Sequence, residues 1–164
     1  LSRLALLHDE ISITAGGNVL EEISLELSKL KNISPANLYK YFVSATPDEI
    51  EFLRTIPLWN SRDSDCNTAL HLAVLASDYA TTDLMLQSRI FKQPAVQNNF
   101  NQTILDCAMK VAEPARSDLV RLVINAGVVY CLPDVRVSVR KLLEDNGSMA
   151  VTQLQRFNLF NSYL

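Results

Sequence analysis

Three side chains of this chain could support nucleophilic chemistry: the Cys107 thiol, the His71 imidazole and the Asp106 carboxylate. A catalytic thiol needs a base within hydrogen-bonding reach, and a third group usually orients that base. A small helical enzyme built on this centre would need a Cys107 thiol of low pKa, because the thiolate is the reactive species. Cys107 otherwise has the properties of a small apolar residue packed in a core, which is the interpretation that we favour.

The spacing around His71 indicates helix capping. Thr68 precedes an apolar helical segment, and His71 follows three residues later, where a side chain can reach back to the helix N-terminus. Asp106 has the same place after Thr103, and an acid there completes a capping box and suits the positive end of the helix dipole. A position that takes His or Asp for one capping task does not indicate catalysis, so we predict no catalytic residue and no enzymatic activity.

The three cysteines, at positions 66, 107 and 131, are odd in number, and their spacing resembles neither a disulfide framework nor a zinc site. Reduced thiols are typical of the cytosol and the nucleus, so we expect an intracellular protein in one or both of these compartments. Gly16-Gly17 alone does not make a phosphate-binding loop. We therefore predict no metal, no cofactor and no small-molecule substrate.

Composition bounds the class of protein. The chain has 164 residues, 48% of them hydrophobic, and only four Gly and six Pro, which favours one globular domain over a turn-rich all-β fold. A net charge of −3 provides no basic field for direct nucleic-acid binding, and no apolar run is long enough to span a membrane. Arg136, Arg140 and Lys141 give one predicted helix a basic face, which is either a solvated face or a site for an acidic partner.

Capping signals predict short helices arranged in pairs. Ser34-Pro35 puts an N-cap residue before a proline at the first helical position, and Thr46-Pro-Asp-Glu49 has the spacing of a capping box. Gly127 and Gly147 stand where the helices before them need a C-terminal glycine. No segment shows strand alternation, so the chain is predicted to be all-α. The predicted helices cover residues 2–12, 19–31, 36–44, 48–55, 69–77, 79–88, 104–112, 118–125, 134–145 and 149–158.

An internal repeat organises these helices. Residues 63–73 align with residues 98–108 at an offset of 35, which places threonine on threonine, leucine on leucine and alanine on alanine. The offset is close to the period of ankyrin repeats, about 33 residues. Thr68-Ala-Leu-His-Leu-Ala73 resembles the ankyrin signature T-P-L-H-x-A, and Asp118–Gly127 resembles the second helix of that family with its closing glycine. The resemblance implies an ankyrin-repeat helical solenoid with degenerate or capping helix pairs at both ends.

The resemblance also implies a domain organisation. Residues 1–33 are expected to form an N-terminal helical pair or cap, and residues 34–164 the ankyrin-repeat domain. Two repeats alone do not bury a continuous core, so we expect flanking helix pairs to complete it. The clear repeats cover about residues 63–97 and 98–129, and the degenerate pairs cover residues 34–62 and 130–160.

Two places depart from the ankyrin pattern. Cys66 stands where the family usually has a glycine at the hairpin turn, and Asn101 is its counterpart in the second repeat. Asn tolerates the left-handed conformation and Cys does so poorly, so the sequence leaves the geometry of the first hairpin open. In the second repeat we expect a longer loop between the two helices, around Pro114.

The segment Val96-Gln-Asn-Asn-Phe-Asn-Gln-Thr103 resembles the start of an early repeat in the inhibitors of NF-κB, the IκB-like ankyrin proteins. Asp65–Val74 is similar to the first repeat of that family. The resemblance implies a non-catalytic interaction module that masks or recruits a Rel-type transcription factor, or another nuclear regulator, through a concave surface. The alternative is a targeting or scaffold segment of a larger multidomain protein or pathogen effector.

The same resemblance places the partner surface on the hairpin tips and the inner helical face. Phe100 is the preferred anchor, because an aromatic side chain at an exposed tip is a common hot spot; the alternative is that Phe100 packs against the neighbouring tip. The predicted partner-binding residues are Arg62, Ser64, Asp65, Asn67, Leu75, Ala76, Gln97, Asn99, Phe100, Gln102, Lys110 and Val111.

Overall fold

The computed structural model describes residues 33–53 and 61–161, so the helices predicted over 2–12 and 19–31 lie outside the described residues. Within these ranges the regular structure is entirely helical, which confirms the all-α prediction. The helices are α1 Pro35–Ser44, α2 Pro47–Leu53, α3 Ala69–Leu75, α4 Tyr79–Gln87, α5 Ile104–Lys110, α6 Ala115–Asn125, α7 Pro133–Asp145 and α8 Val151–Asn161, with a 3-10 turn at Gly147–Ala150 before α8.

The predicted start signals begin the first two helices. The Ser34 hydroxyl accepts a hydrogen bond of 3.2 Å from the Asn37 amide, and Pro35 holds the first helical position of α1. The Thr46 hydroxyl accepts from the Glu49 amide at 3.3 Å at the start of α2. Each bond satisfies a helix N–H group that has no partner within its own helix. The predicted Ser34 cap is confirmed, and the Thr46–Glu49 bond supplies one of the two bonds of the predicted capping box.

The helices pack in a regular order. Helix α3 contacts α1 on one side and α5 on the other, and α5 in turn contacts α7. The other members of the pairs follow the same order, since α4 contacts α6 and α6 contacts α8. Within the pairs, α3 contacts α4, α5 contacts α6, and α7 contacts α8. Residues at equivalent places in successive pairs are therefore held next to one another.

The core runs through these pairs without interruption. It takes side chains from both members of each pair, and the Phe42 and Phe91 rings, 6.3 Å apart, join α1 to the segment after α4. Complete burial of one such aliphatic or aromatic side chain contributes roughly 1.5–3 kcal/mol. The largest fully buried side chains are Phe42, Phe157, Leu38, Leu70, Met85, Ile104, Leu105, Leu119, Ile124 and Leu143.

Helix α6 begins earlier than predicted. It starts at Ala115, three residues before the predicted start at 118. The loop between α5 and α6, residues 111–114, is still one residue longer than the loop between α3 and α4, residues 76–78, as expected. Pro114 has φ −86° and ψ −6°, which already suits a helix start. The Glu113 carboxylate accepts hydrogen bonds from the hydroxyl and the amide of Ser117, and these bonds fix the first turn of α6.

Glycine closes α6 as predicted. The Gly127 amide donates to the Ile124 carbonyl at 2.9 Å, and the Val128 amide donates to the Val123 carbonyl at 3.1 Å. These two bonds form a Schellman motif, in which the residue after the helix adopts the left-handed conformation. Gly127 has φ +93°, and Gly147 after α7 has φ +74°. Both stop signals are confirmed.

The pair formed by α3 and α4 lacks this glycine. After α4, Arg89 has the place that Gly127 has after α6, and it adopts φ +56° although it carries a Cβ atom. A left-handed conformation costs a residue with a Cβ roughly 1–2 kcal/mol relative to a right-handed one. The end of α4 is therefore a strained counterpart of the end of α6.

This comparison predicts opposite effects for two substitutions. Arg89→Gly should raise the free energy of unfolding by about 0.5 kcal/mol, because glycine removes the strain and offsets it only partly by its greater freedom in the unfolded chain. Gly127→Ala should lower it by about 1 kcal/mol. No heavy atom lies within 4 Å of a Cβ added at Gly127, so that loss would be conformational. Urea unfolding of the two variants against wild type measures both; effects of the same sign would contradict the strain assigned to Arg89.

Candidate functional site

Two equivalent turns precede α3 and α5. In the first turn, residues 63–67, the Asp63 amide donates to the Asn67 carbonyl at 3.1 Å. In the second turn, residues 98–102, the Asn98 amide donates to the Gln102 carbonyl at 3.0 Å. The turns therefore repeat at the offset of 35 residues that the sequence shows.

The side chain at the start of each turn holds its backbone. The Asp63 carboxylate accepts from the amides of Asp65 and Asn67 at 2.9 and 2.8 Å. The Asn98 carboxamide oxygen does the same in the second turn, accepting from the amides of Phe100 and Gln102 at 2.9 and 3.0 Å. These side-chain bonds to the backbone are typical of turns that begin with Asp or Asn.

The geometry that the sequence left open for the first turn is the same as in the second. Cys66 and Asn101 both adopt φ +59°. Asn supports the left-handed conformation with its polar side chain, whereas Cys carries the cost of a Cβ without that compensation. The hydrogen bonds around Asp63 therefore impose a conformation on Cys66 that its own side chain disfavours.

Hydrogen bonds join the two turns. The Asn99 amide donates to the Asp65 carbonyl at 2.9 Å, and the Asn99 side-chain amide donates to the Ser64 carbonyl at 3.2 Å. Deeper in the protein, the Asn98 side chain donates to the Asn67 side chain at 3.0 Å. The second turn thus lies edge to edge on the first.

Arg62 joins the first turn to the residue before the second turn. Its Nη1 atom donates to the Cys66 carbonyl at 3.0 Å and to the Gln97 carbonyl at 3.2 Å. Arg62 is exposed as predicted, but its guanidinium group is engaged with the backbone. An Arg62→Ala substitution would therefore disturb the turns as well as remove a surface charge.

His71 links α3 to the second turn. Its Nδ1 atom accepts from the Thr68 amide at 3.2 Å, and its Nε2 atom lies 3.0 Å from the Gln102 carbonyl. Because Nδ1 accepts, the ring proton is on Nε2, which donates to Gln102. Burial lowers the pKa of His71 and the nearby Arg62 charge adds to this, while the Gln102 carbonyl and the charges of Asp63 and Asp106 oppose it. A neutral imidazole that makes a hydrogen bond through each ring nitrogen fits the predicted capping role.

Asp106 has the same role in α5 with different chemistry. One carboxylate oxygen accepts from the Thr103 amide at 3.0 Å, and the other accepts from the Leu132 amide at 2.9 Å. The Thr103 hydroxyl donates to the Tyr130 carbonyl at 2.7 Å. Burial raises the pKa of Asp106, although its hydrogen bonds act in the opposite direction. Both predicted capping boxes are present, and each one also bonds to the segment that follows.

The thiols do not have the properties of a nucleophilic centre. Cys107 is fully buried, and burial raises its pKa to about 11. Cys131 is also buried, with a pKa raised to about 12, again mainly by burial. A raised pKa is the opposite of the low value that the enzyme hypothesis requires of the Cys107 thiol. No group of His, Cys, Asp or Glu suited to a metal ion occurs among the residues that the structure describes.

Most of the predicted partner-binding residues lie at the surface. The side chain of Phe100 is 60% exposed, and that of Leu75 is 42% exposed. Gln102 is half-buried. The other exposed members of the predicted set are Arg62, Ser64, Asp65, Ala76, Gln97, Asn99 and Lys110.

Two of the predicted contact residues are buried rather than exposed. Asn67 is only 8% exposed, because its side chain bonds to Asp63 and Asn98 inside the paired turns. Val111 is only 6% exposed. The backbone after α5 turns to an extended conformation at Val111, with ψ 148°, whereas Ala76 at the same place after α3 continues near the helical region and stays exposed.

Sequence reasoning missed the most connected residue of the site, Asn98. The internal repeat aligns it with Asp63, but the alignment alone gives it no role. A signal is nevertheless present, because both residues stand five positions before the capping threonine, at an interval of 35. An Asp or Asn at that place is a residue type that bonds to the backbone of a following turn.

Comparisons with known proteins add no family. No family model matches the chain, and no curated protein or solved structure matches it significantly. None of the helices in the described part of the chain combines the length and the apolar character needed to cross a bilayer.

The geometry of His71 predicts a pH-dependent stability. Its folded pKa lies below the ordinary value of 6.5, so the unfolded chain binds the proton more readily. The free energy of unfolding should therefore fall as the pH drops below 6.5, by up to about 1.4 kcal/mol per pH unit. His71→Gln should lose this component while other titrations remain. Urea unfolding at pH 5 to 7 tests this; equal pH slopes for the two proteins would contradict it.

The burial of the thiols predicts their reactivity. In the folded chain a thiol reagent should modify Cys66, which is half-buried, and should leave the buried Cys107 and Cys131 unmodified until the protein unfolds. Ellman's reagent with and without urea counts the reactive thiols, and Cys66→Ser should remove the fast phase. Rapid modification of Cys107 in the folded protein would instead support the enzyme hypothesis.

Proposed function

We propose that this chain is a non-catalytic ankyrin-repeat module that binds a protein partner through its paired turns and the adjoining helix ends. The main support for this proposal is a repeated unit, which consists of a turn, a capping threonine and a helix pair and recurs at an interval of 35 residues. Hydrogen bonds join one unit to the next at the turns and at the first helices. Stacked repeats of this kind form extended, preformed binding surfaces.

The order of helix contacts supports a solenoid. Helices α1, α3, α5 and α7 contact one another in sequence, and α4, α6 and α8 do the same. The degenerate pairs would then be α1 with α2 and α7 with α8, one on each side of the two clear repeats. Such flanking units would cover the apolar faces that two repeats cannot bury alone.

The turn surface is suited to binding without reorganisation. The first and second turns are held by Asp63 and Asn98, so ordering them on binding would cost little conformational entropy. Phe100 and Leu75 present exposed apolar side chains, and Lys110 occupies in α5 the place that Leu75 has in α3. An aromatic anchor surrounded by polar groups has the composition of an interaction hot spot.

The more specific proposal is an IκB-like regulator that masks or recruits a Rel-type transcription factor in the cytoplasm or the nucleus. It is supported by the segment Val96–Thr103, which contains the whole second turn. The mechanism would be steric, with a rigid surface occupying the partner's own contact face. No step of it requires a cofactor.

The proposal predicts which side chains carry the affinity. Phe100→Ala and Leu75→Ala should each weaken binding to a Rel-homology dimer at least about fivefold, since both remove exposed apolar contacts without touching the core. Isothermal titration calorimetry with the full chain measures the affinities.

Val137→Ala is the matched control, because Val137 is 74% exposed on α7 and is not one of the predicted contact residues, so this variant should bind as wild type does. Arg62→Ala is a poor control, since Arg62 bonds to the first turn and to Gln97 before the second turn. Affinities unchanged by Phe100→Ala and Leu75→Ala would contradict the proposed surface. Absence of binding by wild type would contradict the Rel-type partner.

A further inference from the structure

The series of turns stops after the second one. Residues 88–103 connect α4 to α5 and contain the second turn, but only residues 126–132 connect α6 to α7. This short connection bonds to α5 through Tyr130 and Leu132, and it forms no turn beside the second one. The second turn therefore has a neighbour on the side of the first turn and none on the other side among the described residues.

The first turn accepts two hydrogen bonds from the second turn, and the second turn has no equivalent pair within the described part of the chain. Its carbonyls at Ser64 and Asp65 accept from the side chain and the backbone amide of Asn99. At the offset of 35, the equivalent carbonyls of the second turn belong to Asn99 and Phe100. No described residue donates to either of these two. We call these carbonyls, together with the exposed ring of Phe100, the open edge.

The backbone amides of the second turn are all used. Those of Phe100 and Gln102 donate to the Asn98 side chain, that of Asn101 donates to the Asn98 carbonyl, and that of Asn99 donates to the first turn. The open edge thus offers backbone acceptors and no backbone donor. Two copies of it cannot pair backbone to backbone, and a β-strand, which alternates donors and acceptors, would be matched only in part.

We propose that the open edge is a docking site for a donor-bearing turn of a partner protein. The partner turn would donate a backbone amide to the Phe100 carbonyl and a carboxamide or guanidinium group to the Asn99 carbonyl, while its apolar surface covers the Phe100 ring. The template is on the same molecule, because Asn99 makes these two bonds to the first turn. This inference deepens the proposed function and rests on it for the identity of the partner.

The two parts of the edge contribute differently. Exposed carbonyls bond to water before a partner arrives, so their exchange for partner donors gives little net free energy. Covering the ring of Phe100, 60% exposed, supplies the hydrophobic gain. The carbonyls instead select the partner, because a docked segment without donors would leave them desolvated and unpaired.

The first arm of the test needs no partner. A copy of residues 93–101, with serine in place of the copied phenylalanine, is inserted between Val129 and Tyr130 to supply a third turn in cis. An insertion of the same length made of Gly and Ser is the matched control. The readout is the carbonyl ¹³C resonances of Asn99 and Phe100, observed through the amides of Phe100 and Asn101. We expect both resonances to move with the copied turn and to stay in place with the Gly-Ser insertion.

The second arm uses a Rel-homology dimer as the probe with the full wild-type chain. We expect the same two carbonyl resonances to move on binding. The copied-turn variant should bind the dimer at least about tenfold more weakly than the Gly-Ser variant, because its edge is already occupied.

The outcomes separate the two proposals. Carbonyl resonances that stay in place on dimer binding, with equal affinities for both insertion variants, would overturn the open-edge inference and leave the proposed function standing. A copied turn that moves the resonances, together with a dimer that binds no variant, would support the edge and overturn the Rel-type partner. Resonances that move in neither arm would overturn the edge.

Discussion

In α3 and in α5, the side chain of the third residue joins one helix pair to the next. His71 caps α3 and also bonds to the second turn, and Asp106 caps α5 and also bonds to the segment before α7. Both side chains are buried, so a polar atom that lost its hydrogen-bond partner would have no water to replace that partner. The packing of α3 on α5, and of α5 on α7, is thus fixed by the same atoms that start the helices. A change at either position acts on a helix start and on a junction between units at once.

The two junctions are not interchangeable, although their geometry is similar. His71 donates through Nε2 to a carbonyl, whereas Asp106 can only accept and is matched with the amide of Leu132. The difference follows from the segments that they meet. The second turn directs the Gln102 carbonyl towards α3, while the short connection before α7 directs an amide towards α5. The choice of His or Asp at this position therefore depends on whether a turn follows, which links a single side chain to the place where the series of turns ends.

Local chemistry made much of this predictable. Ser34, Thr68, Thr103 and Gly127 are residues whose preferences act within a few positions, and the helix boundaries that they predict agree with the structure to within about three residues. The exposure of a side chain is mispredicted where a distant segment bonds to it or where the backbone changes direction after a helix. Asn67 is drawn into the bonds between the turns, and Val111 is buried because the chain bends after α5. Spacing in the sequence identifies the face of a helix, but it does not show how the backbone leaves that helix or which polar groups another turn has already used.

The same use of polar groups determines what the surface can recognise. The Asn98 side chain accepts from two amides of the second turn, and Arg62 donates to the carbonyls of Cys66 and Gln97. What remains at the end of the series is an aromatic ring beside two acceptors, with neither a free backbone donor nor a concentrated charge. A surface of this kind discriminates by the shape of its partner and by the direction of the partner's donors, and only weakly by charge. The rigidity that fixes these groups therefore also narrows the class of segment that can bind to them.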